Sequence, residues 1–76
     1  MASTQSALDR DHFGGLLDRL VALGVTVREK RSRLIVRGQP GYERDTAVQS
    51  LVARLRGDHA AFPEQVEEIV RQREKR

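Results

Sequence analysis

Two histidines, His12 and His59, are the residues of this sequence best suited to metal binding or acid–base catalysis. Neither has a second ligand at metal-site spacing, and their positions near helix ends favour a surface or capping role. The pair Glu67-Glu68 is expected to be a solvated pair rather than an acid–base couple, because adjacent residues on a helix do not face each other. The sequence predicts no metal and no cofactor.

Motifs for nucleophilic catalysis and phosphate binding are also missing. Ser32 and Ser50 have no histidine at a recognisable relation to them. Gly14-Gly15 falls inside a helix pattern, and the glycines at 38 and 41 are not followed by the lysine of a P-loop. With no cysteine, neither a disulfide framework nor a thiolate metal site can form, which favours a cytoplasmic setting. The sequence indicates that this protein is not an enzyme.

The charge distribution is more informative than the catalytic residue types. The segment from Arg28 to Arg37 carries a charge of +4, whereas the whole chain carries +3, so the rest of the chain is slightly negative. The basic residues of this segment are Arg28, Lys30, Arg31, Arg33 and Arg37. A hairpin kept soluble by its charges is one interpretation, and a binding surface is the other.

The chain is long enough for one domain. Its 76 residues, 38% hydrophobic and 33% charged, predict a soluble domain with a small core. No apolar run approaches the ~20 residues of a membrane-spanning helix. We expect residues 1–8 to form a flexible N-terminal tail, without the features of a signal peptide, and residues 9–76 to form the domain.

Periodicity predicts five elements in the order α-β-β-α-α, an α+β fold. The first helix covers Asp9–Leu23, with Asp9 or Asp11 as its cap and Gly24 as its stop. The second begins at Asp45 or Thr46 and is interrupted by Gly57, and the third follows Phe62-Pro63. The expected core consists of hairpin and helix residues: Val25, Val27, Leu34, Val36, Leu16, Leu17, Leu20, Leu23, Leu51 and Leu55.

Between the first two helices, the apolar period changes to two, which is typical of a hairpin with one buried face. Its turn lies near residues 29–32 and lacks Asn-Gly or Asp-Gly, so the register is open by one residue. The other face is predicted to show Thr26, Arg28, Ile35 and Arg37 to solvent. Unpaired edges beside a basic face suit the addition of an extended peptide.

Residues 16–27, followed by a charged turn and residues 33–37, resemble the N-terminal docking domains of the TubC type. These domains occur on subunits of nonribosomal peptide synthetases and hybrid polyketide synthases. The similarity covers roughly residues 13–38, with a looser match at 51–59. The chain departs from the family pattern in the linker at 38–45 and in the break at 60–63.

This resemblance implies a docking role. The hairpin would capture the acidic C-terminal peptide of an upstream synthetase subunit as an added strand, and family members are often homodimers. The predicted partner-binding residues are Thr26, Arg28, Lys30, Arg31, Arg33, Ile35 and Arg37. Two alternatives stay open: a nucleic-acid-binding domain that inserts the basic hairpin into DNA, and a homodimer whose hairpin edges pair with each other.

Overall fold

The computed structural model describes residues 8–75. It confirms the predicted α+β order. The elements are α1 (Arg10–Ala22), β1 (Thr26–Lys30), β2 (Arg33–Arg37), a 3₁₀ turn (Tyr42–Arg44), α2 (Thr46–Ala61) and α3 (Pro63–Glu74). Of the helices in this part of the chain, none is both long and apolar enough to cross a membrane.

Helix α1 begins and ends where its capping residues predict. The Asp9 carboxylate accepts a hydrogen bond from the His12 amide at 3.1 Å, so Asp9 rather than Asp11 is the N-cap. Gly24 adopts a left-handed φ of 81° directly after the helix. Leu23 is 44% exposed, which corrects its predicted place in the core. As the C-cap residue, Leu23 lies where the chain leaves the apolar stripe of the helix.

The hairpin has a defined register and a tight turn. Lys30 lies opposite Arg33 and Val27 opposite Val36, which leaves only Arg31 and Ser32 between the strands. Both turn residues have positive φ, 53° and 67°, as a type I′ turn requires. Such a turn favours asparagine and glycine, so the turn chemistry of this sequence did not predict its type.

The helices cover one face of the hairpin. The buried core combines α1, the hairpin, α2 and α3; its members are Phe13, Leu16, Leu17, Leu20, Val25, Leu34, Val48, Leu55, Val66, Ile69 and Val70. Val27, Val36 and Leu51 are partly buried against it. Apart from Leu23, the predicted core is therefore found at the interior or at its margin. Helices α1 and α3 both pack on β1, which places the helical layer mainly over that strand.

Helix α2 does not stop at Gly57, contrary to the sequence prediction. It continues to Ala61, and Phe62-Pro63 then starts α3. A glycine inside a helix costs only about 1 kcal/mol relative to alanine. Packing of α2 against α3 supplies a tertiary contribution that outweighs this cost, since Leu55 of α2 and Val66 of α3 are both fully buried in the core.

The packed part of the chain includes Leu8. Its side chain packs on the core, and its amide donates to Gln65 Oε1 at 3.3 Å. Leu8, which was predicted to belong to the tail, therefore packs on the domain. Residues 1–7, and Arg76 at the end of the predicted domain, lie outside the described residues.

Candidate binding surface

The register brings the predicted hairpin residues together on one side of the sheet. Directly opposite residues share a face, so three cross-strand pairs lie side by side on the solvent side. We call this surface the basic face; it consists of Thr26, Arg28, Lys30, Arg33, Ile35 and Arg37. Five of these side chains are exposed and Ile35 is half-buried, which corrects its predicted exposure. Arg31 lies in the turn at the end of this face.

The one acidic residue of the segment points the other way. Glu29 is paired with Leu34 on the helix-facing side, and its side chain is 9% exposed. Its carboxylate accepts from the Ser32 amide at 2.9 Å and lies 3.5 Å from Arg71 Nη1. Among residues 8–75, no carboxylate forms an ion pair with an arginine or lysine of the basic face. Every charged side chain of the basic face is thus positive.

The length of the turn determines which backbone amides and carbonyls of the two strands point away from the hairpin. A two-residue turn makes Lys30 and Arg33 the first hydrogen-bonded pair, and bonded pairs alternate along an antiparallel ladder. The groups that point away from the partner strand belong to Val27 and Glu29 on β1 and to Leu34 and Val36 on β2. These four residues define what each edge can offer to an added strand.

Helix α3 shields the C-terminal part of the β1 edge. The amide of Glu29 donates to Glu74 Oε2 at 2.6 Å, and Arg71 holds the Glu29 side chain from the same helix. At the other end of the strand, the Val25 amide donates to Leu20 O at 2.8 Å. Arg73 forms an ion pair with Asp18, which fastens the last turns of α3 to α1. Among residues 8–75, the outward amide and carbonyl of Val27 have no hydrogen-bond partner, so α3 shields β1 at Glu29 and leaves its edge accessible at Val27.

The edge of β2 is open for most of its length. Among residues 8–75, no hydrogen bond satisfies the outward amide and carbonyl of Leu34. The Val36 carbonyl accepts from the Tyr42 hydroxyl at 3.3 Å. The Tyr42 ring lies against the backbone of Gly38, where a Cβ atom would overlap it. Only the C-terminal end of β2 is therefore shielded.

A groove of about 390 Å³ runs between β2 and α2. Its walls combine apolar side chains from both elements with polar groups at the rim; they are Val36, Tyr42, Glu43, Val48, Gln49, Val52, Ala53 and Arg56. The groove exists because α1 and α3 pack over β1, which leaves Val36 only partly covered. Helix α2 forms the side of the groove opposite β2, and the groove is open to solvent.

Three parts of this surface were not predicted from the sequence: Tyr42, Glu74 and the α2 side of the groove. A sequence feature could have pointed to Glu74. An acidic residue in the last turn of a helix interacts unfavourably with the helix dipole, so its presence there suggests a tertiary partner. No sequence feature indicated the position of Tyr42, since that position depends on a 3₁₀ turn in a segment dense in turn residues.

The two histidines differ in their surroundings. His12 is exposed, and its Nε2 atom lies 3.2 Å from Arg54 Nη2. His59 Nε2 lies 2.8 Å from Glu67 Oε2, with the two side chains 21% and 11% exposed. Glu67 is therefore buried, which corrects the prediction of a solvated pair with Glu68. In the described range, no three potential ligands cluster as a metal site would require, and the prediction of no metal and no cofactor stays a prediction.

Comparison of the chain with models of known protein families, with curated proteins and with solved structures gave no match. The geometry of the hairpin and the resemblance of residues 13–38 remain as the grounds for proposing a function.

Proposed function

We propose that this protein is a docking module whose hairpin captures a short acidic C-terminal peptide of a partner subunit by β-strand addition. The observation that carries the proposal is the open edge of β2 beside a uniformly positive face. Backbone pairing supplies general affinity in this mode of recognition, and side-chain contacts supply selection. An added strand at β2 would place alternate side chains next to Arg33 and Arg37.

The edge of β2 suits this role better than that of β1. Pairing along the whole of β1 would require the Glu74 carboxylate, a charged acceptor, to leave the Glu29 amide. Pairing at β2 displaces only the Tyr42 hydroxyl from the Val36 carbonyl.

The charges also favour an acidic peptide over a second copy of the chain. Two β2 edges that paired with each other would bring the arginines of one basic face close to those of the other. Like charges opposite each other in a sheet are destabilising. A homodimer built on other surfaces is compatible with capture of the peptide.

The resemblance of residues 13–38 to TubC-type docking domains is our reason for assigning the partner to an upstream subunit of a nonribosomal peptide synthetase or hybrid polyketide synthase. In that setting, which we take to be cytoplasmic, docking would set the order of the subunits. We expect micromolar affinity, about −8 kcal/mol, as suits subunits that dock and release.

Reversing two charges of the basic face tests the proposal. The double variant Arg33→Glu/Arg37→Glu should lose binding of an acidic C-terminal peptide, because it places carboxylates where the peptide's own carboxylates must lie. Rising salt should weaken binding to the parent, since exposed charges are screened beyond about 10 Å at 0.1 M. Isothermal titration calorimetry measures both effects, and circular dichroism checks that the fold is retained.

The variant Arg19→Glu/Arg54→Glu is a matched control. It changes the net charge equally on a separate surface between α1 and α2, and peptide binding should persist. Equal binding by the Arg33→Glu/Arg37→Glu variant and the parent would exclude the docking site.

Binding to duplex DNA is the second candidate, and the uniformly positive basic face favours it. A basic two-stranded ribbon can enter the major groove, and phosphate contacts would make the affinity steeply dependent on salt. None of the three aromatic residues, Phe13, Tyr42 and Phe62, belongs to the hairpin, so it offers no stacking platform for single strands. A parent protein that prefers duplex DNA to the acidic peptide at physiological salt would establish this function instead.

A further inference from the structure

The groove between β2 and α2 lies where one side of an added strand would point. Neighbouring strands are about 4.8 Å apart, and successive side chains of a strand point to opposite faces of the sheet. A peptide paired with the outward groups of Leu34 and Val36 would therefore direct every second side chain towards α2. The remaining side chains would join the basic face.

We infer that this groove is a subsite for an aliphatic side chain of the docked peptide, so that the motif recognised is one in which acidic and aliphatic residues alternate. This inference rests on the proposed function and adds the identity of the inward-facing residues. Such a subsite would make the protein selective for the alternation of acidic and aliphatic residues, and not only for negative charge.

The lining of the groove supports an aliphatic occupant. Val36 contributes from β2, and Val48 and Val52 contribute from the facing side of α2. Val36 and Val52 are only partly buried in the free chain, so an incoming methyl or methylene group would remove further apolar surface from water. A carboxylate in the same place would lose its hydration next to valine side chains, which is unfavourable unless it is paired.

The charges beside the groove differ from those of the basic face. Glu43 and Arg56 lie at the rim with opposite charges, so the groove itself does not repeat the positive charge of the basic face. Acidic selection thus belongs to Arg33 and Arg37 on one side of the added strand. Aliphatic selection belongs to Val36, Val48 and Val52 on the other side.

Two peptides of identical composition test this division. In one, aspartate and leucine alternate; in the other, the aspartates and leucines form separate blocks. A shift of one residue moves a strand side chain to the opposite face, so the block peptide must place acid in the groove or leucine on the arginines. Calorimetric titration of the parent should give at least tenfold tighter binding for the alternating peptide.

Filling the groove tests the same subsite from the side of the protein. Ala53 is exposed on α2 and lines the groove, so Ala53→Trp should occupy it without entering the core. We expect at least a tenfold loss of affinity for the alternating peptide, with an unchanged circular dichroism spectrum. Ala60→Trp is the matched control, because Ala60 is an exposed alanine of the same helix outside the groove.

The outcomes separate the subsite from the docking function. Equal affinity for the two peptides, or unchanged or tighter binding by Ala53→Trp, overturns the aliphatic subsite. If Arg33→Glu/Arg37→Glu still abolishes binding in that case, docking at the basic face stands without it. If that double variant binds like the parent, the docking function and the subsite fail together.

Discussion

His59 and Glu67 form a contact that joins α2 to α3 inside the molecule. The Glu67 side chain is 11% exposed, and no buried side-chain nitrogen or oxygen in the described part of the chain lacks a partner. The His59→Ala variant would leave the Glu67 carboxylate buried without its imidazole. We expect a loss of about 1–3 kcal/mol in the free energy of unfolding, measured by urea denaturation.

Two further variants control for this interpretation. His12→Ala removes an exposed imidazole and should change stability by less than about 0.5 kcal/mol. The double variant His59→Ala/Glu67→Leu should recover much of the loss, because replacing both partners with apolar groups removes the unpaired charge. If His59→Ala unfolds at the same urea concentration as His12→Ala, the contact contributes nothing to stability.

The turn of the hairpin combines a left-handed backbone with side chains that disfavour it. Arg31 and Ser32 both have left-handed φ values, which L-residues with a Cβ adopt at a cost of roughly 1–2 kcal/mol. Arg31→Asn/Ser32→Gly should therefore stabilise the protein by about 1 kcal/mol, because asparagine and glycine suit a type I′ turn. The urea midpoint should rise while the m-value stays constant.

Gly24 provides a control in which the expected change in stability has the opposite sign. Its φ is 81°, and a Cβ added there would meet no other atom within 4 Å. Gly24→Ala should consequently destabilise the protein by about 1 kcal/mol through its backbone alone. A turn variant that is no more stable than the parent would mean that the backbone of residues 31–32 is not left-handed in solution.

The stability of the protein depends on one small core shared by the three helices and the hairpin. Leu20 is fully buried within it, whereas Leu23, on the same helix, is 44% exposed. Leu20→Ala should lower the free energy of unfolding by about 2–5 kcal/mol, a large part of the total for a domain of this size. Leu23→Ala should cost less than about 1 kcal/mol, because its side chain is largely hydrated already. Similar urea midpoints for the two variants would contradict this core.

Local periodicity determined much of the fold from the sequence alone. The apolar stripe of α1, the two-residue period of Val25–Val27 and Leu34–Val36, and Asp9, Gly24 and Pro63 at helix ends act over a few residues. Such patterns can be identified without tertiary contacts. The same alternation was enough to place the arginines of the basic face on one side of the hairpin and to predict that this side faces away from the helices.

The contacts that shield each edge of the hairpin, and the grooves beside the edges, follow from tertiary packing and not from any local pattern. The Glu74 carboxylate reaches the Glu29 amide across 45 residues of chain, and α2 passes through Gly57 because it packs on α3. These contacts join parts of the chain that are distant in sequence, and their free energies outweigh local preferences of about 1 kcal/mol. The groove between Val36 and Val52 exists for the same reason: it is a space between two elements, and no local pattern in either element encodes it.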